Sequence, residues 1–375
     1  MRCGTHLESK IPVPRKILLL NTDLELGGTP TVIYELATRL HNPPDVVVHV
    51  ACLKQWGPMG DRLKQAHIAT ASFDAMSPLQ FTSTLVQLIE HIRDHEFDTV
   101  LSFLMHANFM AAQAAKSYKG KVRFFQSIQT TQPTPRWHWW LQRRAKKQAE
   151  KIIVPSLSVA EVAQKRAGVK PDRRVIIPNA VDIPVDFPAF SPPLPGEKFP
   201  IGFLGRLDPI KRVGLFVEAC AILRNQVIGH IFGDGPDRPE IEALIAKHDL
   251  QNQIIMHGMV ASPSVALKQI GALVLPSENE GMPMVLIEAM AHRVPVIGFD
   301  VPGVRDVIQD NVNGLLVKTN LPETIQKLIA DNELRQKLVD GGLHSVQSQY
   351  NWKHAIEMYR QVLGIDGTTT PPSVQ

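Results

Sequence analysis

Glu280 and Glu288 stand at the two ends of the stretch E-G-M-P-M-V-L-I-E. An apolar run ends at Pro276, a short polar loop brings up Glu280, and a helical pattern opens near Pro283 with Glu288 about 7–8 Å further down it. Proline in a first helical turn loses no hydrogen bond and presets φ. The free N–H groups of that turn, with the helix dipole, make an anion site. Carboxylates beside it would oppose phosphate alone. They suit a ligand that carries hydroxyls at both ends of an anion, because carboxylates accept from vicinal hydroxyls, and a nucleotide sugar has that layout. By spacing alone both glutamates could equally be solvated helix-face residues.

Other stretches carry chemistry of the same kind. F-L-G-R-L-D-P-I-K-R, residues 203–212, turns at Gly205 and projects Arg206 and Lys211 five residues apart. Two cations at a strand end can neutralise a departing diphosphate without a metal, or be a surface pair. G-G-T-P at 27–30 places Gly27 and Gly28 between a strand and a helix, where backbone approaches phosphate closely. It is not the G-x-G-x-x-G of dinucleotide enzymes. F-G-D-G-P-D at 232–237, with Gly233, is a second glycine turn, structural or ligand-facing. His106, in L-M-H-A-N-F, follows a strand end and is either structural or part of a site. The run 136–151 holds six Lys/Arg, one Glu and three of the five tryptophans. Read as one helix, it suits an anionic membrane surface, nucleic acid, or a core helix with a solvated charged face.

The elements that position these residues alternate in type. Strands are expected at 16–20, 46–51, 99–103, 122–125 and 151–154, with helices at 30–40 and 83–95. After them come strands at 200–204, 226–232, 254–257, 273–276 and 295–299, with helices at 213–224, 238–248 and 283–292. Such alternation argues for two α/β domains with parallel sheets, and ligands of open α/β sheets bind at the carboxyl ends of the strands. Residues 184–200 hold six prolines and read as an interdomain linker.

The remaining composition sets bounds. A chain of 375 residues, 44% hydrophobic and 20% charged, supports two or three domains with buried cores and excludes wholesale disorder. Cys3, Cys52 and Cys220 lie far apart, which argues against a disulfide framework or a cysteine zinc site and for a reducing compartment. No signal peptide or membrane span is read, so a soluble intracellular chain is expected. Residues 1–198 carry a net +8 and residues 199–375 a net −4, as if the two halves meet different partners.

The segment S-E-N-E-G-M-P-M-V-L-I-E-A-M-A-H-R-V-P-V-I-G-F-D-V-P-G-V-R-D-V-I resembles the retaining GT-B glycosyltransferases of family 4, whose signature is glutamate-x7-glutamate. That resemblance is dense from 200 to 317 and thins in the first half. It implies two Rossmann-like domains facing across a cleft. Residues 1–183 would bind the acceptor, 184–200 link, and 201–349 bind the nucleotide sugar. Residues 350–365 would pack back on the first domain, and 366–375 would form a tail. Under the same resemblance Glu280 meets the donor sugar and Glu288 the ribose. Arg206 and Lys211 stabilise the leaving diphosphate, and His106 approaches the sugar. Gly27, Gly28, Gly205, Gly233, Met259, Val260, Gly281, Met282, Pro283, Met284 and Val285 would line the donor. Pro283 departs from the second glycine common in the family, and Thr29-Pro30 from its usual first loop. I-I-P-N-A-V-D at 176–182 and Y-N-W-K-H-A-I-E-M-Y at 350–359 also resemble family features.

The activity implied is retaining transfer from a UDP- or GDP-type sugar to a glycan or lipid-linked acceptor, in cell-envelope polysaccharide or glycolipid synthesis. It would run without cofactor or metal, in the cytoplasm or at its membrane face. Family habit favours a membrane over nucleic acid as the partner of 136–151. Consistent with metal independence, no D-x-D occurs. A non-catalytic GT-B shell, a sugar-nucleotide epimerase, a phosphorylase and a dinucleotide oxidoreductase are the competing readings.

Overall fold

The computed structural model describes residues 14–54, 56–75, 77–132, 135–188, 193–194, 196–318 and 320–365. Cys3, the 366–375 tail and positions 189–192 and 195 of the Pro-rich stretch lie outside them.

Short apolar runs form two sheets. The first comprises β1 (Arg15–Asn21), β2 (Val46–Cys52), β3 (Ala69–Ser72), β4 (Thr99–Phe103), β5 (Arg123–Ser127), β6 (Ile152–Val154) and β7 (Arg174–Ile176), in the order β3-β2-β1-β4-β5-β6-β7. The second comprises β8 (Phe199–Leu204), β9 (Val227–Phe232), β10 (Ile254–Gly258), β11 (Ala272–Leu275), β12 (Val296–Phe299) and β13 (Leu315–Val317), in the order β10-β9-β8-β11-β12-β13. β1 pairs parallel with β2 and β4, and β8 pairs parallel with β9 and β11. Central parallel strands are covered on both faces and must be apolar at consecutive positions. Ile17, Leu18, Leu19 and Leu20 are all buried, as is every residue of β4 and β11.

Each sheet lays three strands outward and then returns to the far side of the first. Strand order therefore reverses between β1 and β4, and between β8 and β11. The crevice beyond the strand ends at such a reversal is where this architecture takes ligands.

The chain divides into two compact units. One holds the described residues up to 127, 137–153 and 358–365; the other holds 128–136 and 154–357. In the first, Arg123 Nη1 donates to Leu363 O at 2.7 Å and Arg15 Nη2 to Gly364 O at 3.1 Å, which fastens the end of helix Trp352–Leu363. Residues 128–136 and 154–183 group with the second unit because Thr131, Ser156 and Asn179 bond to residues 279–282, as detailed below.

The expected elements stand with ends displaced by one or two residues, and one expectation is corrected. The basic run 136–151 is helical only over Arg136–Ala145. Glu150 N already donates to Phe124 O at 2.7 Å, so the chain must unwind before β6 to join the sheet. Trp139 is buried, while Trp137 and Trp140 are 52% and 53% exposed.

A cluster of imidazoles sits in the first unit. His49 on β2 faces His91 and His95, at the end of helix Phe81–Asp94, with ring centroids 6.4 and 5.1 Å away. His91 and His95 are 4.3 Å apart, and Phe97 packs edge-on to His49 at 4.9 Å. Burial, followed by mutual repulsion, lowers His49 and His91 to about 4, and His91 Nε2 is buried without a partner. His41 and Lys16 oppose a proton on His49, while Asp94 favours one on His91. A depressed native pKa means that the unfolded chain binds more protons, so stability falls as pH drops from about 6.5 toward 4. We expect a loss on the order of 2 kcal/mol across that window, partly removed in His91→Phe, by chemical denaturation at a series of pH values. Identical pH slopes in both proteins would contradict it.

Candidate functional site

In the second unit, β8 leads through Gly205 into a loop ending in a single turn, Pro209–Lys211, with Arg212 in the left-handed region (φ 50°) capping helix Val213–Ile222. The next loop, after β9, is laced to it. Gly205 N donates to Phe232 O (3.0 Å), Leu207 N to Asp234 O (2.9 Å) and Asp237 N to Leu207 O (3.0 Å). Gly233 has φ 132°, and a Cβ there would lie 1.9 Å from Gly205 O; one at Gly235 would lie 2.4 Å from Leu207 O. Close backbone approach therefore accounts for the glycines of F-G-D-G-P-D, as a structural turn does. Met259 is exposed and Val260 half-buried; neither shares a described hydrogen bond or ion pair with Glu280, Lys211 or Glu288.

The loop after β11 is held from several sides. Glu278 N donates to Ile210 O at 2.9 Å, joining it to the β8 loop. Across that junction Lys211 Nζ meets Glu280 Oε1 at 2.6 Å, with side chains only 24% and 10% exposed. The single Thr131 hydroxyl proton is shared between Asn279 Oδ1 and Glu280 O, the latter 2.6 Å away, and Ser156 Oγ donates to Gly281 O at 3.0 Å. A Cβ at Gly281 would lie 2.6 Å from Gln129 O, and one at Gly303 2.2 Å from Glu280 O. The buried Met282 turns its sulfur to Asn179 N (3.4 Å), so its side chain belongs to the core. Thr131 and Ser156 were not singled out from sequence, whereas Asn179 and Gly303 lie in stretches quoted for the resemblance without a role of their own. Thr131 lies 148 and 149 positions before the residues it bonds and Ser156 125 positions before its partner, with no local pattern pointing to either.

Helix Met284–Ala291 follows. Pro283 is its N-cap rather than part of its first turn, with ψ of 99°, so the first unclaimed donors are the amides of Met284 and Val285. Glu288 keeps part of its side chain exposed, yet crowding by protein atoms raises its carboxyl to about 7. Glu288 O accepts from His292 Nδ1 (2.6 Å), which leaves Nε2 to accept from Ser264 Oγ (2.6 Å) and fixes that ring.

The cation pair read from sequence is not brought onto one anion. Arg206 is 70% exposed and pairs with Asp208 at 3.1 Å, whereas Lys211 is committed to Glu280. Alternate carboxylates close to each explain the divergence.

In the first unit Gly28 opens helix Gly28–Leu40 behind Gly27, and both are exposed. A Cβ at Gly27 would meet only Pro30 Cδ at 3.7 Å, and its φ of 168° is ordinary extended backbone. Folding does not demand glycine there. His106 is the second residue of helix Met105–Ser117; its side chain is exposed, yet crowding by protein atoms, with His138 and Lys54 nearby, lowers its pKa. Among the described residues no three His, Cys, Asp or Glu side chains converge in a metal-holding group, and no helix is long and apolar enough to cross a membrane.

Comparison with known proteins divides the sequence near residue 185, later than the division into compact units at 153/154. Residues 26–184 match the profile of Glycosyltransferase Family 4, and residues 186–344 that of Glycosyl transferases group 1. The poly(ribitol-phosphate) alpha-N-acetylglucosaminyltransferase of Staphylococcus aureus is 26% identical over 167 residues, covering 42% of this chain and 34% of that protein. The D-inositol 3-phosphate glycosyltransferase of Xylanimonas cellulosilytica is 26% identical over 243 residues, 57% of each. The matched stretch thus spans about a third to somewhat over half of these relatives' length. HepE of Anabaena, in complex with UDP and glucose, superimposes with a TM-score of 0.82 over 93% of this chain and 99% of that one, at 19% identity. Two parallel-sheet Rossmann-like units and two adjoining profile matches place the chain in the GT-B glycosyltransferases of family 4.

Proposed function

We propose that the protein is a retaining, metal-independent hexosyltransferase. It takes a sugar from a UDP- or GDP-type donor and passes it to a glycan or lipid-linked acceptor in cell-envelope polysaccharide or glycolipid synthesis. The observation that carries this reading is the meeting of Lys211 and Glu280 at 2.6 Å, at the reversal point of the second sheet and beside a helix with open first-turn amides.

In this reading the donor's diphosphate lies between Lys211 and the amides of Met284 and Val285, its sugar hydroxyls donate to Glu280, and its ribose hydroxyls donate to Glu288. Gly27, Gly28 and His106 keep, as part of this proposal, the donor-facing roles that the family resemblance implies. Arg206 joins the diphosphate by leaving Asp208, an exposed pair worth at most about 1 kcal/mol. The acceptor oxygen attacks the anomeric carbon on the face from which diphosphate departs. As the new C–O bond forms, the bond to the phosphate oxygen breaks, and that oxygen takes the acceptor proton. The cationic field stabilises the leaving group. Trp140, with the Arg144 guanidinium 4.1 Å from its ring centroid, gives helix Arg136–Ala145 a face suited to an anionic membrane that carries the acceptor.

Lys211→Ala should lower kcat on the order of 10²-fold, measured as donor turnover with identified substrates; near-normal turnover would remove Lys211 from the mechanism. Donor affinity should also rise with pH. The ribose hydroxyls bind the ionised Glu288, whose pKa near 7 makes binding below that value release a proton. Titration calorimetry should show affinity climbing and levelling above about pH 7, with Glu288→Gln flat. A flat profile in the wild-type protein would contradict the assignment.

A further inference from the structure

Glu288 stands where a helix holds least firmly. Helix Met284–Ala291 has eight residues, and the carbonyls of its last four, Glu288 among them, find no partner inside it. End turns of this kind open readily unless they are capped. His292 caps this one twice at the same atom. Its backbone N–H reaches Glu288 O at 3.1 Å, and its Nδ1 reaches that oxygen at 2.6 Å. A carbonyl oxygen only accepts, so Nδ1 carries the proton and Nε2 presents a bare lone pair. His292 is buried, where an unpaired acceptor is costly. Ser264 Oγ, 2.6 Å away and 28 positions earlier, donates to it.

The surroundings hold the ring in that form. Phe187 packs edge-on against it with centroids 4.6 Å apart, and the Lys268 ammonium lies 5.9 Å from the centre of the Phe187 ring. Burial lowers the His292 pKa, the bond to Glu288 O works against that, and Lys268 adds to it. The imidazole is therefore neutral near pH 7, donating at Nδ1 and accepting at Nε2. Ser264 belongs to helix Pro263–Leu267, which follows β10 through the loop of Met259 and Val260. Two side-chain hydrogen bonds thus connect the chain beyond β10 to the turn that bears the Glu288 carboxyl, all within the second unit.

A carboxylate that takes two hydroxyl protons from a diol has to be aimed, because hydrogen bonds weaken steeply when bent or stretched. Fixing the backbone at Glu288 fixes where its side chain starts. We infer that Ser264 and His292 are positioning residues for a ribose-bearing ligand. The relay from Ser264 Oγ through the imidazole to Glu288 O holds the Glu288 carboxylate where the vicinal hydroxyls of a ribose donate to it. The inference rests on the donor reading of Glu288 and deepens it, naming the 2′-hydroxyl as a group that the chain selects through this relay.

The test is titration calorimetry of UDP, GDP and ADP and of their 2′-deoxy counterparts against the full chain at about pH 8, where Glu288 is ionised. For the nucleotide that binds, the wild-type chain should prefer the ribo form about tenfold, the scale of one hydrogen bond to a carboxylate. Ser264→Ala and His292→Phe should each bring the ribo affinity down to the 2′-deoxy value. The 2′-deoxy affinity should stay as it was, which also certifies folded variants. Ser264→Thr, which keeps the hydroxyl, should restore the preference. Equal loss of both forms in Ser264→Ala would reduce the relay to a support of the fold and overturn the inference. A ribo preference lost in Glu288→Ala but kept in Ser264→Ala and His292→Phe would sink the relay alone and leave the donor reading standing. A wild-type chain that binds none of the nucleotides would sink the donor reading and the ribose role with it.

Discussion

Lys211 and Glu280 meet at 2.6 Å because the backbone on both sides leaves them little room to sit elsewhere. β8 and β11 are neighbours at the centre of a parallel sheet, so their following loops must emerge side by side. The Glu278–Ile210 backbone bond joins those loops, and Thr131, Ser156 and the close approach of Gly303 hold the chain at 279–281. An ion pair between side chains this sheltered is not a strong source of stability, since each charge has given up water. Its value lies in position: an ammonium and a carboxylate stand ready at a place where a ligand can exchange with either.

The two glutamates of the signature stretch are placed in different electrostatic surroundings. Glu280 has an ammonium against it, whereas Glu288 is raised to about 7 by burial alone. Carboxylates separated in this way by environment can do different work on one ligand. Glu280 is positioned by its loop, and Glu288 by a helix whose last turn is locked through His292 and Ser264. In the first unit, Leu104 sits at φ 64° just after β4, and the rings of His106, Trp137 and His138 pack edge-on to one another.

Much of the fold was legible because parallel strands covered on both faces leave an unmistakable apolar run. β4 at Thr99–Phe103 matches its sequence reading residue for residue. Helix Arg136–Ala145 was read too long, because tertiary pairing of Glu150 with Phe124 ends a helix that local composition would continue. At the site, the spacing of Glu280 and Glu288 was visible because loop and helix are contiguous. The clamp by Thr131 and Ser156 was not, since a hydroxyl that bonds a carbonyl 125 or more positions away leaves no periodicity. Arg206 and Lys211 looked like partners on one anion by spacing. Asp208 and Glu280 separate them, and only the three-dimensional arrangement reveals that competition.

The central claim is that the loops after β8 and β11, with the helix that follows, form a nucleotide-sugar site. It is tested most directly by metal-free titration calorimetry of UDP, GDP, ADP and their common sugars against the wild-type chain and Glu288→Ala. Selective binding of one nucleotide, weakened in the variant, is the result predicted. A folded wild-type chain that binds none of them, or a variant that binds as tightly as wild type, would contradict the account.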